Sequence, residues 1–397
     1  MKIAYFVHDL NDPAVGRRVR MLSAGGADPV VLGFRRSSVV PTSIEGAPAI
    51  DLGRTFVGRL THRARATLRA ALGVWRLRGA VSGADVLVAR SLEMLLIACT
   101  ARLVFGLAAG IVYECLDIHR VMLRADVVGV AMRALERMLI QACGLVIISS
   151  PAFAREYFAA RQGFRPGSRP PILLLENKVL ELDGPHHLQL RQRLAARPWR
   201  IAWLGAIRCR RSLDVLTAMA KRRPDLVEIH IHGRPAYSEF ADFNAQTAQS
   251  PNVSFGGAYG ANDLARLYGE ADFSWAIDYL EEGQNSAWLL PNRVYESSRH
   301  GATPIALRDV ETGRYLEARS YGVRLADAAD IEAFLEELTP LAYAGLVASL
   351  KAAPLSDFYA DRSDCVALVT ALASAGRGGS GVASGAFLNV EGTQAEP

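Results

Sequence analysis

Short runs rich in Val, Ile and Leu return at regular intervals along this chain, and that return narrows the possible folds more than any other feature. In the first half they are Lys2–Val7, Pro29–Phe34, Asp85–Ala89, Ile111–Glu114, Leu145–Ser149 and Ile172–Glu176. In the second half they are Arg200–Leu204, Val227–His232, Val253–Phe255, Asp272–Ile277 and Thr303–Leu307. Each reads as a strand buried on both faces. Helical stretches lie between them, and that alternation predicts α/β architecture with doubly wound parallel sheets. The plan is played twice around a polar join at Glu181–Pro198, so two Rossmann-like domains are expected, 1–183 and 184–354. The length of 397 residues suits that count. Asp361–Leu372 reads as a further helix within a segment 355–373, and the Gly-, Ser- and Ala-rich tail 374–397 lacks periodicity and predicts disorder. In such sheets ligands bind beyond the carboxyl ends of the strands, which puts the expected site in a cleft between the two domains.

Within the second half, the stretch Asp278–Ala306 carries the most chemistry. An acidic pair and a glycine (Glu281, Glu282, Gly283) precede Leu290-Pro291-Asn292-Arg293, a helical run with Glu296, and a stop at Gly301. Pro291 suits the first helical position and Gly301 the left-handed stop. Asn292, Arg293 and Glu296 then share a first turn whose unpaired N–H groups face outward, a geometry that receives phosphate. Arg293 adds a charged fork, and Glu296 offers acceptors to sugar hydroxyls. An ordinary helix–strand unit is the alternative.

Two other strand ends stand out in that half. Leu204-Gly205 leads into Arg208, Arg210 and Arg211, and His232-Gly233-Arg234 ends another strand. Glycine lets backbone approach a ligand, and fixed cations stabilise a departing diphosphate. A solvated basic loop is the plainer reading. In the first half, Asp117 and His119 follow the Ile111–Glu114 strand, and either could serve as acid or base. A helix cap for Asp117 and a bonded loop histidine for His119 are the alternatives. The loop His8–Pro13 follows the first strand without G-x-G-x-x-G, which argues against a dinucleotide dehydrogenase. Arg17, Arg18 and Arg20 nearby face either an anionic ligand or solvent.

The net charge of +5 is gathered in one place. Between Leu52 and Ala84 there are seven arginines and no acidic residue. Leu60, Ala64, Leu68, Ala71, Leu72 and Trp75 share one helical face, flanked by Arg65, Arg69 and Arg76. A basic amphipathic helix with tryptophan reads as an anionic membrane-surface element at residues 59–78, unless it packs on its own core. No aromatic interleaving accompanies the arginines, so nucleic acid is not an expected partner. Arg102 interrupts the apolar stretch Met94–Val112, at about 2.5–3.5 kcal/mol for an arginine mid-membrane, so that stretch reads as helix then strand. The five cysteines lack metal-ligand spacing and read as reduced thiols of a cytoplasmic protein. Met1-Lys2 leads directly into a strand, so no signal peptide is expected.

Taken together, Glu282-Gly283, Leu290–Arg293, Glu296 and Gly301–Ile305 resemble the donor site of GT-B glycosyltransferases of the group 1, family 4 kind. The resemblance spans about residues 1–372 and is strongest over 200–306. It implies two Rossmann-like domains facing across a cleft, with a C-terminal helix (355–373) crossing back to the first. It implies that Glu296 binds the donor ribose and that Asn292 and Arg293 meet the diphosphate. Gly205 and Arg211 match the family's diphosphate-clamping loop, with Arg208 standing in for an arginine that usually follows the glycine directly. Gly233 would contact the nucleotide through backbone. Glu282 corresponds to a first family glutamate near the donor sugar, though it stands fourteen positions before Glu296 rather than the usual eight. His119 and Asp117 match the Asp-x-His segment that faces donor sugar and acceptor. The implied activity is hexosyl transfer from a UDP- or GDP-linked donor to a glycan or polyprenyl-linked acceptor in exopolysaccharide or envelope synthesis. It would run with retention by default, at the cytoplasmic face of the plasma membrane. No Asp-x-Asp occurs, which points to metal-free chemistry and to no cofactor beyond the donor. A nucleotide-sugar 2-epimerase on the same scaffold, or a non-catalytic partner in a polysaccharide complex, are the alternatives.

Overall fold

The structure is a computed structural model that describes residues 1–56, 60–165, 167–183 and 196–376. The chain divides into two α/β units. Unit 1 comprises Met1–Glu176, Leu180–Leu182 and the chain from Ala360 on; unit 2 comprises Asn177–Val179 and Asp183–Tyr359. Residues 184–195 of the polar join and 377–397 of the tail lie outside the described residues.

Unit 1 holds β1 (Lys2–Val7), β2 (Asp28–Arg35), β3 (Ser43–Ile44), β4 (Ala47–Arg54), β5 (Val86–Arg90), β6 (Gly110–Cys115), β7 (Leu145–Ile148) and β8 (Ile172–Leu174). They form one sheet in the order β3-β4-β2-β1-β5-β6-β7-β8. All neighbours pair parallel except β3 with β4. Its helices are α1 (Pro13–Ala24), α2 (Leu60–Leu72) with a 3-10 turn at Val74–Leu77, α3 (Arg78–Val81), α4 (Leu92–Phe105), α5 (Arg120–Leu123) and α6 (Val127–Ile140). Asp12 starts α1 by accepting from Ala14 N at 2.9 Å, with Pro13 in the first turn. From β1 the sheet grows one way to β2 and the other way to β5, β6 and β7. Right-handed crossovers therefore put α1 on one face and α4 and α6 on the other. On that second face α4 packs against α2 on one side and α6 on the other.

Unit 2 is a six-stranded parallel sheet of β10 (Trp199–Ile207), β11 (Val227–Pro235), β12 (Val253–Phe255), β13 (Phe273–Trp275), β14 (Thr303–Leu307) and β15 (Val323–Leu325), in the order β12-β11-β10-β13-β14-β15. Two short strands, β9 (Val179–Leu180) and β16 (Tyr359–Ala360), pair with each other. The helices of unit 2 are α7 (Arg210–Arg222), α8 (Phe243–Ala248), α9 (Leu264–Gly269), α10 (Asn285–Trp288), α11 (Asn292–Arg299), α12 (Glu311–Ala318), α13 (Ile331–Glu337) and α14 (Pro340–Ala352). Trp199, Trp203, Phe273 and Trp275 fill its core.

The final helix, α15 (Arg362–Gly376), belongs to unit 1 and packs on α1 and against β5 and β6. Its Cys365, Leu368 and Leu372 join a core with Val86, Val88 and Val112. Glycine makes room for its end: a Cβ on Gly144 would stand 2.6 Å from the Ala375 carbonyl oxygen. Residues 374–376, expected in the disordered tail, continue this helix.

Several boundaries differ from expectation. The strand expected to end at Leu204 continues through Gly205 to Ile207, because it stays in register with β11 as far as Pro235. Helix α7 then begins at Arg210, within the basic run itself, capped by Cys209, whose Sγ accepts from Ser212 N at 3.4 Å. Strands β3, β4 and β15 have no apolar run long enough to announce them. The stretch Met94–Val112 is the body of α4 and the start of β6, and no helix among the described residues is long and apolar enough to cross a membrane.

Candidate functional site

In unit 2 the candidates gather around the carboxyl ends of β10, β11 and β13 and the start of α11. Pro291 is the N-cap of α11, in extended conformation (φ −71, ψ 143), one residue before the helix rather than in its first position. A proline cap has no side-chain acceptor to give, so the first amides of α11, from Asn292 and Arg293, keep their outward donors. That end carries the positive pole of the helix. Arg293 lies across the neighbouring strand end, donating from Nη1 to Trp275 O at 3.2 Å. Glu296 is half-buried on the same helix. Burial raises the phenol pKa values of Tyr259 and Tyr268, and the charge of Glu296 raises them further, so both phenols stay neutral beside it.

Gly205 and Gly233 are paired partners in the β10–β11 register. Both have positive φ (114 and 142). A Cβ at 205 would meet nothing within 4 Å, whereas one at 233 would stand 1.8 Å from Gly205 O. These strand ends are bare backbone, which suits close approach by a ligand. Beyond them, Arg208 reaches Asp278 (Nη2–Oδ2 3.3 Å). Arg211, in the first turn of α7, is held on three sides. It pairs with Glu282 at 3.0 Å and with Asp327 at 3.1 Å, and its Cζ lies 4.0 Å from the centroid of the Tyr279 ring. The structure thus brings Gly205, Gly233, Arg208, Arg211, Glu282, Asn292, Arg293 and Glu296 into one unit, with Glu282 as the partner of Arg211.

In unit 1, Asp117 and His119 lie in the loop after β6, both exposed. His119, not Asp117, caps the next helix: its Nδ1 accepts from Val121 N at 3.2 Å, which leaves its ring proton on Nε2. The loop rests on a buried network at the ends of β1, β5 and β6. Glu114 accepts from Tyr5 Oη and from Arg18 Nε, each at 2.6 Å, and Arg90 Nη1 donates to Tyr5 Oη at 3.3 Å. Burial pushes the Glu114 carboxyl up, but Arg18, Arg90 and the Tyr5 hydroxyl together hold it below its ordinary range. Burial, and after it Arg90, lowers the pKa of His8 at the edge of the network.

The chain is 46% identical over 383 residues to the succinoglycan biosynthesis protein ExoL of Rhizobium meliloti (strain 1021), covering 94% of each. It belongs to the ExoL family. No protein-family model matches it. Among solved structures, sucrose-phosphate synthase from Thermosynechococcus elongatus superposes with a TM-score of 0.67 at 13% identity, covering 94% of this chain and 98% of that one. HepE from Anabaena in complex with UDP-glucose gives 0.63 at 14%, covering 93% and 98%. The fold of this ExoL-family chain is GT-B, built from two Rossmann-like domains.

Two kinds of residue were out of reach of the sequence of this ExoL relative. Tyr279 and Asp327 support Arg211 from positions 68 and 116 residues away along the chain (279 and 327 against 211), with no motif linking them. Arg18 reads from sequence as facing solvent or an anionic ligand, yet it is 5% exposed and serves Glu114. The helix wheel at 60–75 also needs correction. Ala71 is buried with Thr67, Val74 and Leu77, while Leu68, Leu72 and Trp75 point outward. The face that packs is rotated from the apolar face and shares Ala71 with it.

Proposed function

We propose that this protein transfers a hexose from a nucleoside-diphosphate donor to a hydroxyl of a lipid-carried glycan during exopolysaccharide assembly. The observation that carries the reading is the uncapped start of α11, with Arg293 and Glu296 on the same helix and Arg211 fixed beyond the paired glycines. The relative named for succinoglycan biosynthesis supports the pathway class. HepE, solved with UDP-glucose, supports a UDP-linked donor, with a GDP-linked one as the other choice.

In this reading the donor diphosphate lies at the amides of Asn292 and Arg293 and against Arg211. Charge developing on the leaving phosphate is then met by fixed N–H dipoles and guanidinium, which need no reorganisation during transfer. Glu296 accepts from the ribose hydroxyls. Gly205 and Gly233 admit the nucleotide to the strand ends. Arg208 is a second cation, and Glu282 sets the position of Arg211. Cations from the chain supply the charge stabilisation, so we infer a metal-independent transfer of the family 4 type, with retention. His119, proton on Nε2, faces the transferred sugar; Asp117 is the base should the reaction invert. Attraction between α2 and anionic lipid, about 1 kcal/mol per arginine near the surface, would hold the enzyme at the inner face of the plasma membrane. Of the segment 59–78 invoked here, residue 59 lies outside the described residues.

The test is thermal stabilisation by UDP, GDP, ADP and CMP, on wild type and Glu296→Ala. A nucleotide at 100 times its Kd stabilises by about 2.7 kcal/mol. One nucleoside diphosphate should shift wild type and shift the variant far less. Absence of any shift in wild type would sink the donor reading. Consumption of the nucleotide sugar without an acceptor would instead favour epimerisation or hydrolysis.

A further inference from the structure

Among the described residues, fourteen large apolar side chains stand exposed, and nine of them lie on one helical layer of unit 1, the α2–α4–α6 face. The opposite layer, α1 with α15, leaves one, Val366. Six of the nine fall into two patches that are far apart in sequence; Leu103 and Val104 end α4, and Met138 lies late in α6. On α2 and the turn after it, Leu68, Leu72 and Trp75 are 56%, 66% and 62% exposed. At the entrance of α6, Val127, Val128 and Val130 are 83%, 51% and 53% exposed. These exposed valines of the first turn of α6 are not needed by the core, since Gly129 between them is the residue that packs, against Arg124 O. Exposed apolar side chains gathered on one helical layer mark an interaction surface.

Its charge says what it meets. Segments 60–81, 92–105 and 120–140 carry ten arginines and three acidic residues. Glu93 is paired with Arg63, Asp126 with Arg124, and Glu136 is buried. A second copy of the same surface would repel it. Nucleic acid would satisfy the arginines and leave the valines, leucines and tryptophan in water. A surface that offers anionic headgroups above an apolar boundary satisfies both at once.

We propose that the whole α2–α4–α6 layer lies on an anionic lipid surface, with the α6 entrance as a second contact independent of α2. This deepens the membrane part of the proposed function and rests on it only for α2. It also has a consequence for the acceptor. Val127 follows His119 by eight residues, through the short α5, so the loop of Asp117 and His119 would sit beside the headgroups. An acceptor carried by a lipid would reach that loop without leaving the bilayer.

The experiment is co-sedimentation of the full-length protein with vesicles of phosphatidylcholine alone or mixed with phosphatidylglycerol. It compares wild type, Val127→Ser/Val128→Ser/Val130→Ser, and Leu68→Ser/Leu72→Ser/Trp75→Ser. Each triple variant should lose about tenfold in partitioning to the anionic vesicles, and added salt should weaken binding of wild type. Thermal stabilisation by the donor nucleotide, read on the same preparations, should be unchanged, which separates this proposal from the donor reading and verifies folding. Wild-type partitioning by the α6 variant would overturn the second contact and leave only helix α2. No preference for phosphatidylglycerol in wild type would overturn the proposal entirely. So would a dimer in light scattering that the α6 variant abolishes, in the absence of vesicle binding.

Discussion

Gly233 and Gly205 face each other across the β10–β11 ladder so closely that a Cβ at 233 would stand 1.8 Å from the Gly205 carbonyl oxygen. That oxygen is backbone and cannot swing aside. Gly233→Ala should therefore cost about 3 kcal/mol, the upper part of the usual range for single substitutions. Gly205→Ala adds its methyl to open space and pays only for positive φ, about 1–2 kcal/mol. Urea denaturation of the two variants checks this. Equal losses would mean that the strand ends are not in contact as described.

Arg211 is held by an aromatic face as well as by two carboxylates, and the aromatic contribution can be isolated. Tyr279→Phe keeps the ring under the guanidinium, whereas Tyr279→Leu removes it. A cation–π contact at a partly exposed site is worth about 0.5–1 kcal/mol. The leucine variant should raise KM for the donor roughly two- to fivefold by that figure, and the phenylalanine variant should stay near wild type. Steady-state kinetics at saturating acceptor decides it. If the phenylalanine variant falls as far as the leucine one, the hydroxyl contact to Ala328 N, and not the ring, positions Arg211.

Fold and site were legible to different depths, and the residues say why. Strands such as Val227–His232 and Thr303–Leu307 announce themselves because burial on both faces demands an unbroken apolar run. Strand β4, Ala47–Arg54, carries Pro48, Asp51 and Gly53 and is mostly half-buried, so it leaves no such run. Helix α11 was legible through Pro291 and Gly301, which punctuate backbone. The start of α7 was not, because its cap is a cysteine, and Cys209 Sγ also accepts from Tyr279 N at 3.3 Å, a contact 70 residues distant. The Glu114 network was hidden for the same reason: Arg18 looks like any helix arginine until the sheet places β6 beside β5 and β1.

That network and Glu136 give unit 1 two buried carboxyls with opposite pH behaviour. The Glu114 pKa is depressed in the fold, so its stabilising share is present above the unfolded value of about 4.3 and is lost as pH falls below it. Glu136 is surrounded by the neutral donors Tyr113, Tyr157 and Gln162, and burial raises its pKa. Its share is present below about 4.3 and is lost as pH climbs through the raised folded value. The stability of wild type relative to Glu136→Gln should therefore decline from pH 4.5 towards pH 7.5 in urea titrations run at about those values. Arg18→Ala, which leaves Glu114 buried with half its cations, should cost about 3–5 kcal/mol at neutral pH. That cost should shrink as Glu114 is protonated. A pH-independent cost would mean that Arg18 acts through packing alone.

The start of α11 poses a conflict between stability and binding that one pair of variants exposes. Pro291→Ala and Pro291→Asp both lose the rigid ring and its effect on the unfolded chain. Only aspartate supplies a side-chain acceptor to the amides that follow, worth about 1 kcal/mol over alanine at an N-cap. In the proposed function the same amides hold the donor diphosphate, and a carboxylate fixed among them would compete with it for donors and repel its charge. The aspartate variant should thus be more stable than the alanine variant by about 1 kcal/mol in urea, yet bind the nucleoside diphosphate about tenfold more weakly by calorimetry. Greater stability with undiminished binding would place the diphosphate elsewhere in unit 2, leaving Arg208 and Arg211 as its remaining ligands.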